Sequence, residues 1–121
     1  MTITRIPSGG PFEEKVGYCR AVVANGMVFV AGTCSQNEGA RDVVAQCRSA
    51  LDVIGVALET AGSSWEKVVR VRYLLPNRED FEPCVPVLRE TFGPNPPAAT
   101  MMVCGLLDPD DLIEIEVDAI L

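Results

Sequence analysis

The stretch LIEIEVDAI at residues 112–120 has the clearest alternation of apolar and charged side chains in the chain. Successive side chains of a β-strand point to opposite faces of the sheet, so this stretch predicts a strand with one apolar and one acidic face. The apolar face is formed by Ile113, Ile115, Val117 and Ala119, and the acidic face by Glu114, Glu116 and Asp118. The acidic face has two interpretations: a solvated surface with cross-strand ion pairs, or a carboxylate held in a cleft for proton transfer.

Further strands are predicted on either side of this one. The runs YCRAVVA (18–24) and MVFVAG (27–32) flank Asn25-Gly26, the dipeptide most typical of a two-residue hairpin turn. VVRVRYLL (68–75) also has the composition of a strand, and TITRI (2–6) alternates weakly. TMMVCGL (100–106) is separated from the final strand only by the turn at 108–110, which predicts a second hairpin.

Two helices are predicted between these hairpins. Cys47, Leu51, Ile54, Leu58 and Ala61 recur at helical spacing, which indicates an amphipathic helix from Ala40 to Ala61 that ends at Gly62. The second helix is expected from Asp80 to Phe92, with a distortion at Pro86. Residues 7–15 contain two prolines and a glycine pair and are expected to form a loop.

The order β, ββ, α, β, α, β, β predicts an α+β fold, with a mixed sheet and two helices packed on one face. We expect residues 1–121 to form a single domain, because 121 residues is a common domain length. The other face of the sheet then needs a cover or a polar surface. Together with a hydrophobic content of 48%, this predicts self-association.

Charge and the absence of histidine exclude several classes of function. With 17 acidic and 10 basic residues the net charge is −7, which disfavours nucleic acid and anionic membranes as partners. The chain has no histidine, which excludes Ser-His-Asp and Cys-His catalysis and His-containing metal sites within one chain. Five cysteines without a CxxC motif predict reduced thiols, and the sequence shows no export signal or membrane-length apolar run. We therefore expect a cytoplasmic protein without a metal site.

The order of several short motifs is similar to that of the Rid family of reactive intermediate deaminases. Individually the motifs have low specificity, but together they cover nearly the whole chain. They are GYCRAV (17–22), VFVAGT (28–33), Gln46, AGS (61–63) with VVR (68–70), DF (80–81), PA (97–98) and IEIE (113–116).

The resemblance implies a chorismate-mutase-like fold and a homotrimer with ligand clefts between subunits. It also implies hydrolysis of reactive imines and enamines, such as 2-aminoacrylate, to keto acids and ammonia, with no metal and no organic cofactor. The expected partners are a small-molecule ligand and further copies of the chain, without nucleic acid or membrane.

The same resemblance assigns site residues. Glu114 matches the family's water-positioning glutamate and Tyr18 its cleft tyrosine, so both are predicted to be catalytic. Ala99 stands where the family's carboxylate-binding arginine is expected, which indicates a divergent subgroup with little activity on 2-aminoacrylate. The residues expected to line the cleft and bind substrate are Thr33, Cys34, Ala99, Thr100, Met101 and Cys104.

Three functions remain open at this stage. The first is an imine or enamine hydrolase that uses Glu114, the second is a non-catalytic small-molecule binder, and the third is an endoribonuclease, which the acidic composition disfavours. Cys34 is interpreted either as a packing residue or as a nucleophile that lacks a histidine partner. Glu116 is predicted to be structural, as an ion-pair partner of Arg70 or Arg72.

Overall fold

A computed structural model of the protein describes residues 2–36 and 41–121. The described residues form one six-stranded sheet and three α-helices, with short 3₁₀ turns at Trp65–Lys67 and Arg78–Asp80. The strands are β1 (Ile3–Ile6), β2 (Ala21–Ala24), β3 (Met27–Thr33), β4 (Val68–Leu75), β5 (Ala98–Val103) and β6 (Glu114–Ile120). The helices are α1 (Phe12–Val16), α2 (Val43–Ala61) and α3 (Phe81–Phe92).

The strands are ordered β1-β2-β3-β6-β4-β5 across the sheet. The β4–β5 pair is parallel and the other neighbours are antiparallel, so the sheet is mixed, as the sequence predicted. The predicted hairpin between β5 and β6 is wrong, because β6 lies between β3 and β4. Helix α3 connects β4 to β5, and a strand–helix–strand unit places its two strands in parallel. The strand with a completely buried apolar face, β6, then fills the centre of the sheet.

The predicted hairpin between β2 and β3 is confirmed. Ala24 lies opposite Met27, so the turn consists of Asn25 and Gly26 alone. Both turn residues have positive φ, 52° at Asn25 and 76° at Gly26. Asparagine and glycine tolerate this region best, which explains why the dipeptide marks the turn so clearly.

Helix α2 follows the predicted stripe. The side chain of Asp42 caps its first turn by accepting a hydrogen bond from the Ala45 amide at 3.3 Å. Gly62 ends the helix with φ 87°, and Ile54 and Leu58 on the stripe are fully buried. The predicted first residue of this helix, Ala40, lies outside the described residues.

Helix α3 continues through Pro86, which is exposed and has no amide hydrogen to donate to the carbonyl of Glu82; the predicted distortion there stays a prediction. The loop predicted at residues 7–15 needs correction. Part of the segment predicted as loop forms the short helix α1, between Pro11 and Gly17. Five residues are too few for a periodic pattern, and none of them is buried, so the sequence carries no amphipathic signal there.

Both long helices pack on one face of the sheet and contact each other. Between them and the sheet lies the core, which includes Ile115 and Val117 of β6, both completely buried. On the opposite, open face, Arg72 forms the predicted ion pair with Glu116, at 3.2 Å. Among the described residues, no helix is long and apolar enough to cross a membrane.

Candidate functional site

The site predicted around Glu114 lies where β3 ends and β6 begins, on the open side of the sheet. The thiol of Cys34, the residue after β3, donates a hydrogen bond to Oε1 of Glu114 at 3.3 Å. The two residues are 80 positions apart in sequence. The antiparallel pairing of β3 with β6 therefore assembles this contact from opposite parts of the chain.

A β-bulge between Val30 and Thr33 of β3 lies next to Glu114. Val30 pairs with Val117 and Thr33 with Ile115, so β3 has one residue more than β6 across this interval. The carboxylate of Glu114 lies directly against Gly32, in space that a Cβ atom on this residue would occupy. Glycine is therefore required here by close approach and not by its backbone angles.

A buried arginine, Arg20, contacts the residues of this bulge. Nη1 of Arg20 donates to Oγ1 of Thr33 at 2.7 Å and to the carbonyl of Gly32 at 3.2 Å. The Thr33 hydroxyl in turn donates to the carbonyl of Ala31 at 2.7 Å. Thr33 was predicted to bind substrate, but its side chain is fully buried in the protomer and holds Arg20 against the bulge.

Tyr18 lies beside this network at the surface. Its ring centroid is 5.9 Å from the Cζ atom of Arg20, and its exposed fraction is 37%. The backbone amide of Tyr18 donates to the carbonyl of Glu13, which ties the residue to α1. Tyr18 thus reaches the cleft that Cys34 also lines.

The loop before β6 contributes Asp111, a residue that the sequence analysis did not select. The side chain of Gln46 on α2 fixes this loop: its amide nitrogen donates to the carbonyl of Asp110 at 3.1 Å, and its oxygen accepts from the amide of Leu112 at 2.8 Å. Gln46 is only 2% exposed. These two hydrogen bonds hold the residue between them, Asp111, at the wall of the cleft.

Burial and neighbouring carboxylates determine the protonation of the cleft thiol. Burial, followed by the charges of Glu114 and Asp111, raises the pKa of Cys34 far above its ordinary value. Burial also raises the pKa of Asp111, while the nearby Cys34 thiol partly lowers it. Cys34 is therefore a protonated hydrogen-bond donor at neutral pH and a poor nucleophile.

The cleft has a volume of about 570 Å³. Its lining combines the buried cation with acidic and amide side chains, a mixture suited to a small polar ligand. The polar residues of the lining are Ser8, Tyr18, Arg20, Cys34, Ser35, Gln36, Gln46, Asp108, Asp110 and Asp111. The described residues contain no group of three or more histidine, cysteine, aspartate or glutamate side chains arranged to hold a metal ion.

The remaining predicted substrate-binding residues lie elsewhere in the protomer. Ala99, Thr100 and Met101 are exposed on β5, at the edge of the sheet, and β4 separates them from Glu114. The hydroxyl of Thr100 accepts a hydrogen bond from Arg70 at 3.3 Å, and the amide of Cys104 donates to the carbonyl of Leu75. One protomer therefore brings together Tyr18, Cys34 and Glu114 but not the β5 residues.

Sequence reasoning assigned no role to Arg20 or Asp111. Arg20 lies in the quoted stretch GYCRAV, but an isolated arginine in a strand pattern carries no signal of burial. Asp111 follows the acidic turn that begins at Asp108, and this run of acids immediately before the final strand was the available signal.

Comparisons with known proteins give one consistent result. The family model described as Endoribonuclease L-PSP matches residues 11–121. An uncharacterized protein of Streptomyces coelicolor is 32% identical over 97% of this chain and 91% of its own length. A RutC family protein of Pyrococcus horikoshii is 33% identical over 82% of each chain. A crystal structure from Mycobacterium tuberculosis, described as a member of the YjgF/YER057c/UK114 family, has 37% identity and a TM-score of 0.91, covering 99% of this chain and 100% of that one.

Proposed function

The chain belongs to the Rid family, also called the YjgF/RutC or Endoribonuclease L-PSP family, and from this premise we propose that it hydrolyses a small carbonyl–nitrogen compound, an imine or enamine. The observation that carries the proposal is the carboxylate of Glu114, held by Cys34 at 3.3 Å and packed against Gly32. A carboxylate fixed in this way, beside the polar cleft that Cys34 lines, is arranged to accept and return a proton.

The reaction needs only water and this carboxylate. As a water molecule adds to the carbon of the C=N bond, Glu114 accepts one of its protons and a carbinolamine forms. Glu114 passes this proton to nitrogen, then accepts the hydroxyl proton as the C=O bond forms and delivers it to nitrogen as the C–N bond breaks. The products are a carbonyl compound and ammonia. Cys34 donates to one oxygen of Glu114 and so fixes the orientation of the carboxylate.

We further propose that the complete cleft forms between subunits of a homotrimer. The edge strand β5 is exposed along its whole length, and Met101, Met102 and Val103 are each about half exposed. An exposed apolar edge favours association with another chain. The β5 residues of a second copy would then complete the cleft at Glu114, from which their own protomer separates them by β4.

Two alternatives are less well supported. The matching family model is described as an endoribonuclease, but the cleft presents Asp108, Asp110 and Asp111, and these carboxylates repel phosphate. A non-catalytic binder would use the same cleft without turnover.

The decisive experiment compares Glu114→Gln with Glu116→Gln. Imines are generated in solution by an amino acid oxidase from a panel of amino acids, and their hydrolysis is followed in competition with semicarbazide. Loss of a general acid–base group should lower the enzymatic rate about 100-fold or more for Glu114→Gln. Glu116, paired with Arg72, serves as the matched control, and Glu116→Gln should keep the wild-type rate.

The proposal fails if the Glu116 change is the more damaging of the two or if both changes are silent. A ligand that raises the melting temperature without any turnover of the panel would favour the binder.

For the trimer, sedimentation at micromolar concentration should give about three times the monomer mass. Met102→Lys should reduce that mass, and Val56→Lys on α2 should not, although Val56 is also exposed.

A further inference from the structure

Arg20 is a buried cation for which the described residues provide no counterion. It is 9% exposed, and its backbone is fixed on both sides: its amide donates to the carbonyl of Ile6 at 2.8 Å and its carbonyl accepts from Ala31 at 2.9 Å. No described carboxylate forms an ion pair with it. Its position is therefore set by the sheet and not by attraction to an acid.

The partners of the guanidinium are all neutral. Nη1 donates hydrogen bonds to both the Thr33 hydroxyl and the Gly32 carbonyl, and the centroid of the Tyr18 ring lies 5.9 Å from Cζ. Within the described part of the chain, Nε and Nη2 make no hydrogen bond. The only fully buried side-chain nitrogen or oxygen that lacks a partner in these residues is Oγ of Ser64, so the free nitrogens of Arg20, a residue that lines the cleft, are not fully buried.

A buried charge is unfavourable unless a group of opposite sign or a full set of hydrogen bonds compensates it. Arginine is also the side chain whose planar fork best fits a carboxylate, through two parallel N–H···O bonds. We propose that Arg20 is an anion-binding residue of the cleft, which receives the carboxylate of a small monoanionic ligand on its free nitrogens.

The surrounding charges restrict the ligand class. Asp108, Asp110 and Asp111 line the same cleft, so a phosphate dianion is repelled more strongly than a singly charged carboxylate. Glu114 is not itself among the residues that line this cleft, but Cys34, which lines it, donates to the Glu114 carboxylate at 3.3 Å. A ligand bound at Arg20 by its carboxylate would therefore lie in the cleft that Cys34 connects to Glu114. This identification of the ligand as a carboxylate rests on the proposed function; binding of a monoanion at Arg20 does not.

The test measures binding without turnover. Pyruvate is titrated at constant ionic strength into the wild-type protein, with neutral pyruvamide and inorganic phosphate as comparison probes. Melting temperature and the ¹⁵N–¹H resonances of Gly32, Thr33 and the Arg20 side chain are recorded. Pyruvate should raise the melting temperature saturably and shift these resonances, whereas pyruvamide and phosphate should bind at least 10-fold more weakly.

Arg20→Met should weaken pyruvate binding at least 10-fold, and the matched change Arg78→Met, at an exposed arginine, should not alter it. Replacement of an uncompensated buried charge by an apolar side chain should leave the melting temperature of the free protein unchanged or raise it. A purely structural arginine would instead lower the melting temperature on substitution and leave pyruvate binding intact.

Equal binding of pyruvate and pyruvamide, or stronger binding of phosphate, overturns the proposal. If Arg20→Met does not fold, the Arg20 Nε–H resonance of the wild-type protein tests the proposal instead. A resonance that does not shift when pyruvate is added overturns the proposal. Glu114→Gln separates this inference from the proposed hydrolysis, because it should retain pyruvate binding. If pyruvate binds through Arg20 but no imine is hydrolysed, the anion site stands and the enzymatic proposal fails.

Discussion

The carboxylate of Glu114 occupies the space in which a side chain at position 32 would begin, so Gly32 and Glu114 form one structural unit. The bulge in β3 brings the Gly32 backbone to this position, and the start of β6 supplies the carboxylate. A change at either residue must therefore alter the other.

Gly32→Ala should displace the Glu114 carboxylate and abolish imine hydrolysis. A new Cβ would overlap the carboxylate, and moving it also breaks the hydrogen bond from Cys34. We expect a loss of stability of about 1–3 kcal/mol from overpacking, measured by chemical denaturation. Gly105→Ala is the control, because a Cβ there meets no atom within 4 Å and should leave activity intact. Wild-type activity in Gly32→Ala would show that Glu114 can act from another position.

Cys34 should react slowly with iodoacetamide at neutral pH. Its pKa is raised by burial and by the charges of Glu114 and Asp111, so the reactive thiolate is scarce and labelling should accelerate only in strongly alkaline solution. Peptide mass spectrometry over a pH series measures this, with the partly exposed Cys19 and Cys104 as internal references. Cys34→Ser keeps a donor for Glu114 and should retain most activity. Complete loss of activity in Cys34→Ser would favour a nucleophilic thiol.

Asp111→Asn should leave the protein as stable as the wild type at pH 7 or slightly more stable. Because burial raises the pKa of Asp111 above its ordinary 3.8, its contribution to stability is present below that value and is lost as pH rises through the folded-state pKa. Asparagine removes this loss. Solvent screening limits the gain to under about 1 kcal/mol, or a melting-temperature rise of about 3 °C. The difference should shrink towards pH 3.5; a gain that is instead larger in acid would contradict the assignment.

Gln46→Leu should destabilise the protein by about 1–3 kcal/mol, because it leaves the Leu112 amide and the Asp110 carbonyl without their partner in a buried setting. Hydrogen exchange at Leu112 should accelerate in the variant. Arg41→Ala provides the comparison, because Arg41 contacts the same loop through Asp110. It removes an ion pair whose side chains are 77% and 66% exposed, and it should cost less than about 1 kcal/mol. Similar losses in both variants would contradict the role assigned to the buried amide.

Local chemistry explains which parts of the fold could be predicted. The turn at Asn25-Gly26 and the end of α2 at Gly62 depend on residues with unusual backbone freedom, and both are marked directly in the sequence. The place of β6 was missed because strand order depends on which edges remain free after α3 connects β4 to β5. Alternation within a strand contains no information about its neighbours.

The candidate site also contains some residues that the sequence could predict and others that it could not. Glu114 and Tyr18 could be selected because a family resemblance supplies their spacing, and their roles stay predictions. The burial of Arg20 and the position of Asp111 arise from contacts between β2, β3 and the loop before β6. Such contacts are invisible to any pattern within one segment, as are residues that a second subunit would bring to the cleft.

The central place of β6 has a consequence for synthesis on the ribosome. The β2–β3 hairpin and the β4–α3–β5 unit emerge first, and each leaves open the edge that β6 will later occupy. At about 5–20 residues per second, these edges wait for seconds before residues 114–120 emerge from the exit tunnel. During that interval the nascent chain exposes two unpaired β-edges, which are sites for aggregation or chaperone binding. A nascent chain stalled after the β4–α3–β5 unit has left the exit tunnel, but before residues 114–120 have left it, should therefore have high affinity for chaperones.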